Sequence, residues 1–231
     1  MSTTIVSGST VMNDVNEFVS DSGTRYRIGN VFGNVGERAA GPQVFLVDQL
    51  EGATGAHFHR VPQFQFFVDG AGSFGKKPIR LVTMHYADPW SPYGPIESAE
   101  NGIKYFTARA AADVGAFYMP GARKKKEGKS GRQVTAVLDA EPTAEGTWLI
   151  EPQPDGVACL DIWLAEGRTL PAHRLGGTAR LALCLEGNLR SEEADFPPLS
   201  WISVDVDDLA TITAGAGGAR VVVMDFPHQP E

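Results

Sequence analysis

The sequence predicts an all-β protein, a sandwich or barrel built in two successive units. Three observations carry this. Short apolar runs recur along all 231 residues, with 26 glycines and 15 prolines punctuating them. Sustained helical periodicity is scarce. A strand-like segment that closes on glycine also occurs twice, ending at Gly70 and at Gly187.

Taken in order, strands are expected at 26–28, 43–47, 56–59, 63–68 and 81–86. Further strands are expected at 103–109, 134–138, 159–164, 180–185 and 221–226. Each is a short run of Val, Ile, Leu, Phe or Tyr with turn-forming residues beyond it. Val11 to Val19 and Ala108 to Val114 are the candidate helices, and the Gly215 to Gly218 run reads as a turn. The first unit is placed at 1–120 with an N-terminal extension. A charged, glycine-rich connection follows at 121–144, and the second unit at 145–231.

The formal net charge is −8 and the isoelectric point about 5.1. Binding to a nucleic-acid backbone calls for a basic surface, so nucleic acid is not an expected partner. The one basic cluster, Arg123 to Lys126, reads as a solvated loop. No apolar run reaches the length of a membrane span. The first residues lack the basic and apolar regions of a signal peptide, so a cytoplasmic protein is expected. Cys159 and Cys184 sit in apolar stretches and read as buried, reduced thiols.

The chemistry concentrates between residues 55 and 70. His57 and His59 are two of only five histidines. On a strand, side chains two apart share a face, so both imidazoles project together, near enough for one metal ion. Gln63 follows four residues after His59, and Gly70 seven after that, where the chain can turn. Gln65 shares the Gln63 face, and Phe67 continues it beside the glutamines. Further on, Tyr105, Thr107 and Arg109 share one face of a strand. If that face is inward, Arg109 is the natural anchor for a substrate carboxylate. If outward, it is a solvated charge. Tyr86, Trp90, Tyr93, Tyr105 and Tyr118 are candidates to line a cavity for a planar ligand.

The His57-x-His59, Gln63, Gly70 spacing resembles the first metal-binding motif of the cupins, with glutamine in place of the glutamate. The segment from Met84 to Gly94 resembles the second motif. One register puts Tyr93 at the histidine position and Glu97 at the asparagine. A literal Pro-x-Gly at Pro92-Tyr93-Gly94 offers Glu97 as ligand instead, and His85 is a third candidate. The chain is thus similar to a bicupin. The resemblance implies two jelly-roll-type β-barrels and a divalent ion in the first: iron, manganese, nickel, zinc or copper. His57, His59 and Gln63 would be its ligands, and Tyr93 or His85 would complete the site as catalytic groups. Gln65, Phe67, Tyr105 and Arg109 would bind substrate. In the second unit, His173 echoes His57, but the position seven before Gly187 is Arg180. That unit is expected to have lost its metal site.

The resemblance implies a metal-dependent enzyme acting on a small organic molecule, aromatic or carboxylate, with dioxygenase-type oxidation as the leading chemistry. The same residues would serve a lyase or isomerase. A non-catalytic small-molecule-binding protein is the alternative from a different class. A homodimer is expected, because exposed strand edges need cover.

Overall fold

The computed structural model describes residues 3–20, 23–38, 40–113, 115–171, 179–191, 194–204 and 212–228. His173, the expected echo of His57, lies outside them. Nearly all regular structure is β-strand, as expected. Among the described residues no helix is long and apolar enough to cross a membrane.

The chain divides into two compact units. The first is Asp14–Asp139. The second combines Met1–Asn13 with Ala140–Glu231. This differs from the expected boundaries in two ways. The N-terminal strand Thr4–Val6 pairs with Trp201–Val204 and so belongs to the second unit. The expected connection at 121–144 contains the strand Gln133–Val137, which pairs with Thr83–Ala87 and belongs to the first. Arg123 to Lys125 of the basic cluster fall in a short 3-10 helix, Gly121–Lys125, and Lys126 caps its end. The two expected helices are also corrected. Gly8–Asn13 is a single short helix, followed by the strand Asn16–Val19. Ala108 and Arg109 end the strand Ile96–Arg109. The glycine run at 215–218 lies inside the strand Thr213–Phe226.

The first unit is built on one antiparallel sheet. Its order is Gln133–Val137, Thr83–Ala87, Gln63–Phe74, Ile96–Arg109, Gln43–Glu51, Arg25–Phe32 and Asn16–Val19. The pairing register sets three rows of side chains across one face. The deepest row runs Val47, Tyr105, Phe67, Thr83, Val137. The middle row runs Phe45, Thr107, Gln65, His85, Thr135. The third carries Gln43 opposite Arg109 and, across the next strand, Gln63 opposite Ala87. Tyr26, Ile28, Phe45, Val47, Phe67, Ile96, Ile103 and Tyr105 form the apolar core beneath. Alternation turns Phe64 and Phe66 to the opposite face, where both are fully buried.

The second unit repeats this layout. Its sheet order is Thr4–Val6, Trp201–Val204, Ala179–Arg190, Thr213–Phe226, Ala158–Leu164 and Thr147–Ile150. Gly70 and Gly187 mark equivalent points on the central strands. Both have positive φ, 84° and 71°, and both backbones lie against the carbonyl of a facing glycine, Gly102 and Gly218. A side chain would collide there, which is why each strand closes on glycine. Counted from these points, Gln63 corresponds to Arg180 and Arg109 to Asp225. The middle row of the first unit corresponds to Leu160, Val223, Ala182, Ile202 and Ile5.

Candidate functional site

The sheet face with the three rows opens on a cavity of about 190 Å³, lined among others by His57, His59, Gln65, Tyr93, Tyr105 and Arg109. Ligand sites for drug-sized molecules span roughly 300–1,000 Å³. This one suits a smaller molecule.

His57 and His59 are held from several sides. The two-residue strand His57–Phe58 pairs with Phe117–Tyr118. His57 also exchanges backbone hydrogen bonds with Tyr93, at 3.0 and 2.9 Å, and the His59 carbonyl accepts from the Trp90 N–H at 2.8 Å. Alternation sends Phe58 the other way, stacked on Phe117 with centroids 5.2 Å apart. The two imidazoles meet edge to face at 5.1 Å. His57 Nδ1 bonds the Gly55 carbonyl at 2.8 Å, so it carries the proton and Nε2 keeps its lone pair. His59 Nδ1 lies 2.5 Å from an Asp113 carboxylate oxygen. Burial pulls the His57 pKa down to about 3 and the His59 pKa down to about 4, the second also through Arg109. Both rings are neutral at pH 7.

Arg109 faces inward, 5% exposed. Its Nη1 donates to Gln43 Oε1 at 2.7 Å. Its Nε and Nη2 both donate to Gln63 Oε1, at 3.1 and 3.0 Å. Nη2 also stands 3.2 Å from both ring nitrogens of His59. Equidistant from the two, Nη2 lies over the ring and off the in-plane Nε2 lone pair, and with the Nδ1 proton directed to Asp113 that ring is neutral. Every direct acceptor of the guanidinium is therefore neutral. One of its five N–H groups, on Nη1, has no protein acceptor. Burial lowers its pKa from the ordinary arginine value.

Gln63 is engaged at both ends of its amide. Its oxygen takes Arg109, and its amide nitrogen donates to the Tyr93 hydroxyl. Burial raises the Tyr93 pKa, so the hydroxyl stays protonated and a phenolate role is disfavoured.

In the middle row, His85 Nδ1 meets Thr135 Oγ1 at 2.9 Å. His85 Nε2 and Gln65 Oε1, on directly facing residues, are buried without a partner. Burial pulls the His85 pKa down to about 4. His85 packs on Phe74 and Tyr93, with centroids at 4.4 and 5.3 Å.

The other expected residues divide. Tyr105 and Tyr118 line the cavity. Phe67 does not: it packs in the core against Tyr105 and Phe74. Tyr86 and Trp90 also lie elsewhere, Tyr86 against Phe64 and Trp90 against Phe58. Glu97 is exposed and accepts from Ser73, which removes it from the ligand candidates. Asp113 and Gln43 escaped the sequence reading. Asp113 follows the end of its strand, where no periodicity applies. Gln43 alternates with Phe45 and Val47, and that pattern marks it as facing the same side.

The donors decide whether a divalent ion fits. Two imidazoles with anchored Nδ1 atoms suit one. The third donor does not, because Gln63 Oε1 already accepts two N–H groups, and a guanidinium charge stands 3.2 Å from the His59 ring nitrogens. No group of three or more His, Cys, Asp or Glu that could hold a metal occurs among the described residues. As arranged, these residues do not fit a resident divalent ion.

No protein-family model matches the chain, and no curated protein does. Solved structures do. The bacterial pirin YhhW of Escherichia coli, in complex with nickel(II), matches at 8% identity over 98% of this chain and 100% of its own, with a TM-score of 0.60. A putative dioxygenase of Nostoc punctiforme matches at 10% identity over 100% and 88%, with a TM-score of 0.57. Oxalate decarboxylase of Bacillus subtilis matches at 12% identity over 100% and 78%, with a TM-score of 0.55. The chain has a cupin-like fold. At these identities the likeness extends to the fold and no further.

Proposed function

We propose that the first unit binds a small organic acid: a carboxylate on a compact apolar or aromatic body that also carries a hydrogen-bond donor. One observation carries this. Arg109 is a buried cation at the cavity wall whose direct acceptors are all neutral and which keeps one N–H in reserve. An anion is the ligand that such a group favours. Tyr105, Phe45 and Val47 supply the apolar wall, and Gln65, with His85 directly behind it on the facing strand, supplies an unpaired oxygen that would accept from the donor.

Calorimetric titration of the full chain tests it, with benzoate, 4-hydroxybenzoate and pyruvate against the matching amides. The acids are expected to bind, the amides not, and Arg109→Met to weaken acid binding by about tenfold or more. Acids that bind no better than amides, or that bind the variant equally, would refute the reading.

A metal-dependent reading, oxidative or of the lyase type, is favoured by one feature: Nδ1 of both His57 and His59 is anchored, as in metal-binding histidines. It requires Arg109 to leave Gln63 and His59.

A further inference from the structure

We infer that the Arg109 guanidinium is itself the cation of this site: it takes the Gln63 oxygen that a divalent ion would need, holds its positive charge against the His59 ring, and keeps the pocket free of metal. This goes beyond the acid-binding reading, which concerns only what enters the cavity.

Four observations converge. Arg109 is fixed at both ends, by Gln43 through Nη1 and by Gln63 through Nε and Nη2, so it is not a side chain resting in an empty space. Gln63 suits this partner. Its oxygen serves the guanidinium while its amide nitrogen serves Tyr93, and an ionised carboxylate has no such N–H to give. Nη2 stands 3.2 Å from both His59 ring nitrogens, so its positive charge would repel a dication bound to that imidazole. Finally, the second unit also places a guanidinium where these two strands cross. Arg180 stands at the position of Gln63, paired with Asp225 at the position of Arg109. The crossing takes an arginine in both units, from opposite strands.

Metal content of the full chain, purified without a polyhistidine tag, provides the test. The protein is stripped with chelator and dialysed separately against Ni(II), Mn(II) and Zn(II). Wild type is expected to retain under roughly a tenth of an ion per chain. Arg109→Met is expected to hold about one, falling back to the wild-type level in Arg109→Met/His57→Ala. Circular dichroism checks that each variant is folded, and Arg109→Gln replaces Arg109→Met if that chain does not fold. A wild type holding about one ion that His57→Ala removes overturns the inference, and so does a folded Arg109 variant that takes up no more metal than wild type. Acid titration distinguishes this failure from failure of the binding reading: a wild type that binds both acid and metal sinks the inference alone.

Discussion

The two units bury arginine at the same place and treat it oppositely. In the second unit Arg180 is 3% exposed and meets Asp225 through two bonds of 2.7 Å. Arg220 meets Asp161 in the same forked way, at 3.0 and 2.7 Å. Each charge is answered by a carboxylate. In the first unit Arg109 is answered by two amides and an imidazole. The middle rows differ in parallel. Leu160, Val223, Ala182, Ile202 and Ile5 fill the second unit's row and join its apolar core. Thr107, Gln65, His85 and Thr135 occupy the first unit's. The second unit therefore acts as an internal control: the sheet does not require polar residues at these positions. What the first unit retains beyond the control is a cation that meets its carboxylate, Asp113, only through the His59 ring, and an unpaired Gln65 oxygen at the cavity; these are the features a ligand would complete.

The largest expected effect breaks the second unit. Arg180→Met strands the buried Asp225 carboxylate, and removing one partner of a buried pair costs about 3–5 kcal/mol. Arg109→Met removes a desolvated charge, leaves neutral direct acceptors unpaired, and leaves the Asp113 carboxylate its bond to His59, so its cost should be smaller. Urea denaturation of both variants measures the difference. An Arg109→Met loss equal to that of Arg180→Met would mean that the first unit's arginine is as structural as the second's.

Acid should separate the units next. His57, His59 and His85 have pKa values pulled from the ordinary 6.5 to about 3, 4 and 4, chiefly by burial. The unfolded chain therefore takes up protons first as pH falls. Their contribution to stability is full above about pH 6.5, declines between 6.5 and about 4 to 3, and is gone below that. The first unit should lose a few kcal/mol over that window. Among the described residues the second unit has no buried histidine. Thermal melts from pH 7.5 to 4 check this, and His85→Leu should flatten the slope. A slope unchanged in that variant would contradict the burial argument for His85.

Much of this was legible in the sequence. His57, His59, Gln63 and Gly70 could be read because strand alternation and a positive-φ glycine are local rules. The inward face of Arg109 was left open, because nothing local distinguishes the two faces of its strand. The register with Gln43 and Gln63 decides it, and that pairing joins distant residues. Asp113 follows a strand end, outside any period. The unit boundaries failed for the same non-local reason: residues 4–6 pair with 201–203, and 133–137 with 83–87. Ala108 to Val114 is a candidate helix in the sequence, but the pairing of Ala108 and Arg109 with the Gln43 strand overrides that weak preference.

The smallest effect sharpens the comparison most. Gln65→Leu with His85→Leu gives the first unit an apolar middle row of similar volume, as in the second. If the unpaired Gln65 oxygen and His85 Nε2 are a liability borne for ligand binding, removing both should leave stability unchanged or raise it by about 1 kcal/mol. Affinity for 4-hydroxybenzoate should fall about tenfold, while that for benzoate, which offers no donor, should change little. Denaturation and calorimetry on one preparation give both numbers. A double variant that unfolds more easily and binds both acids as before would make the row a structural network, closed by water, and would return the two units to equivalence.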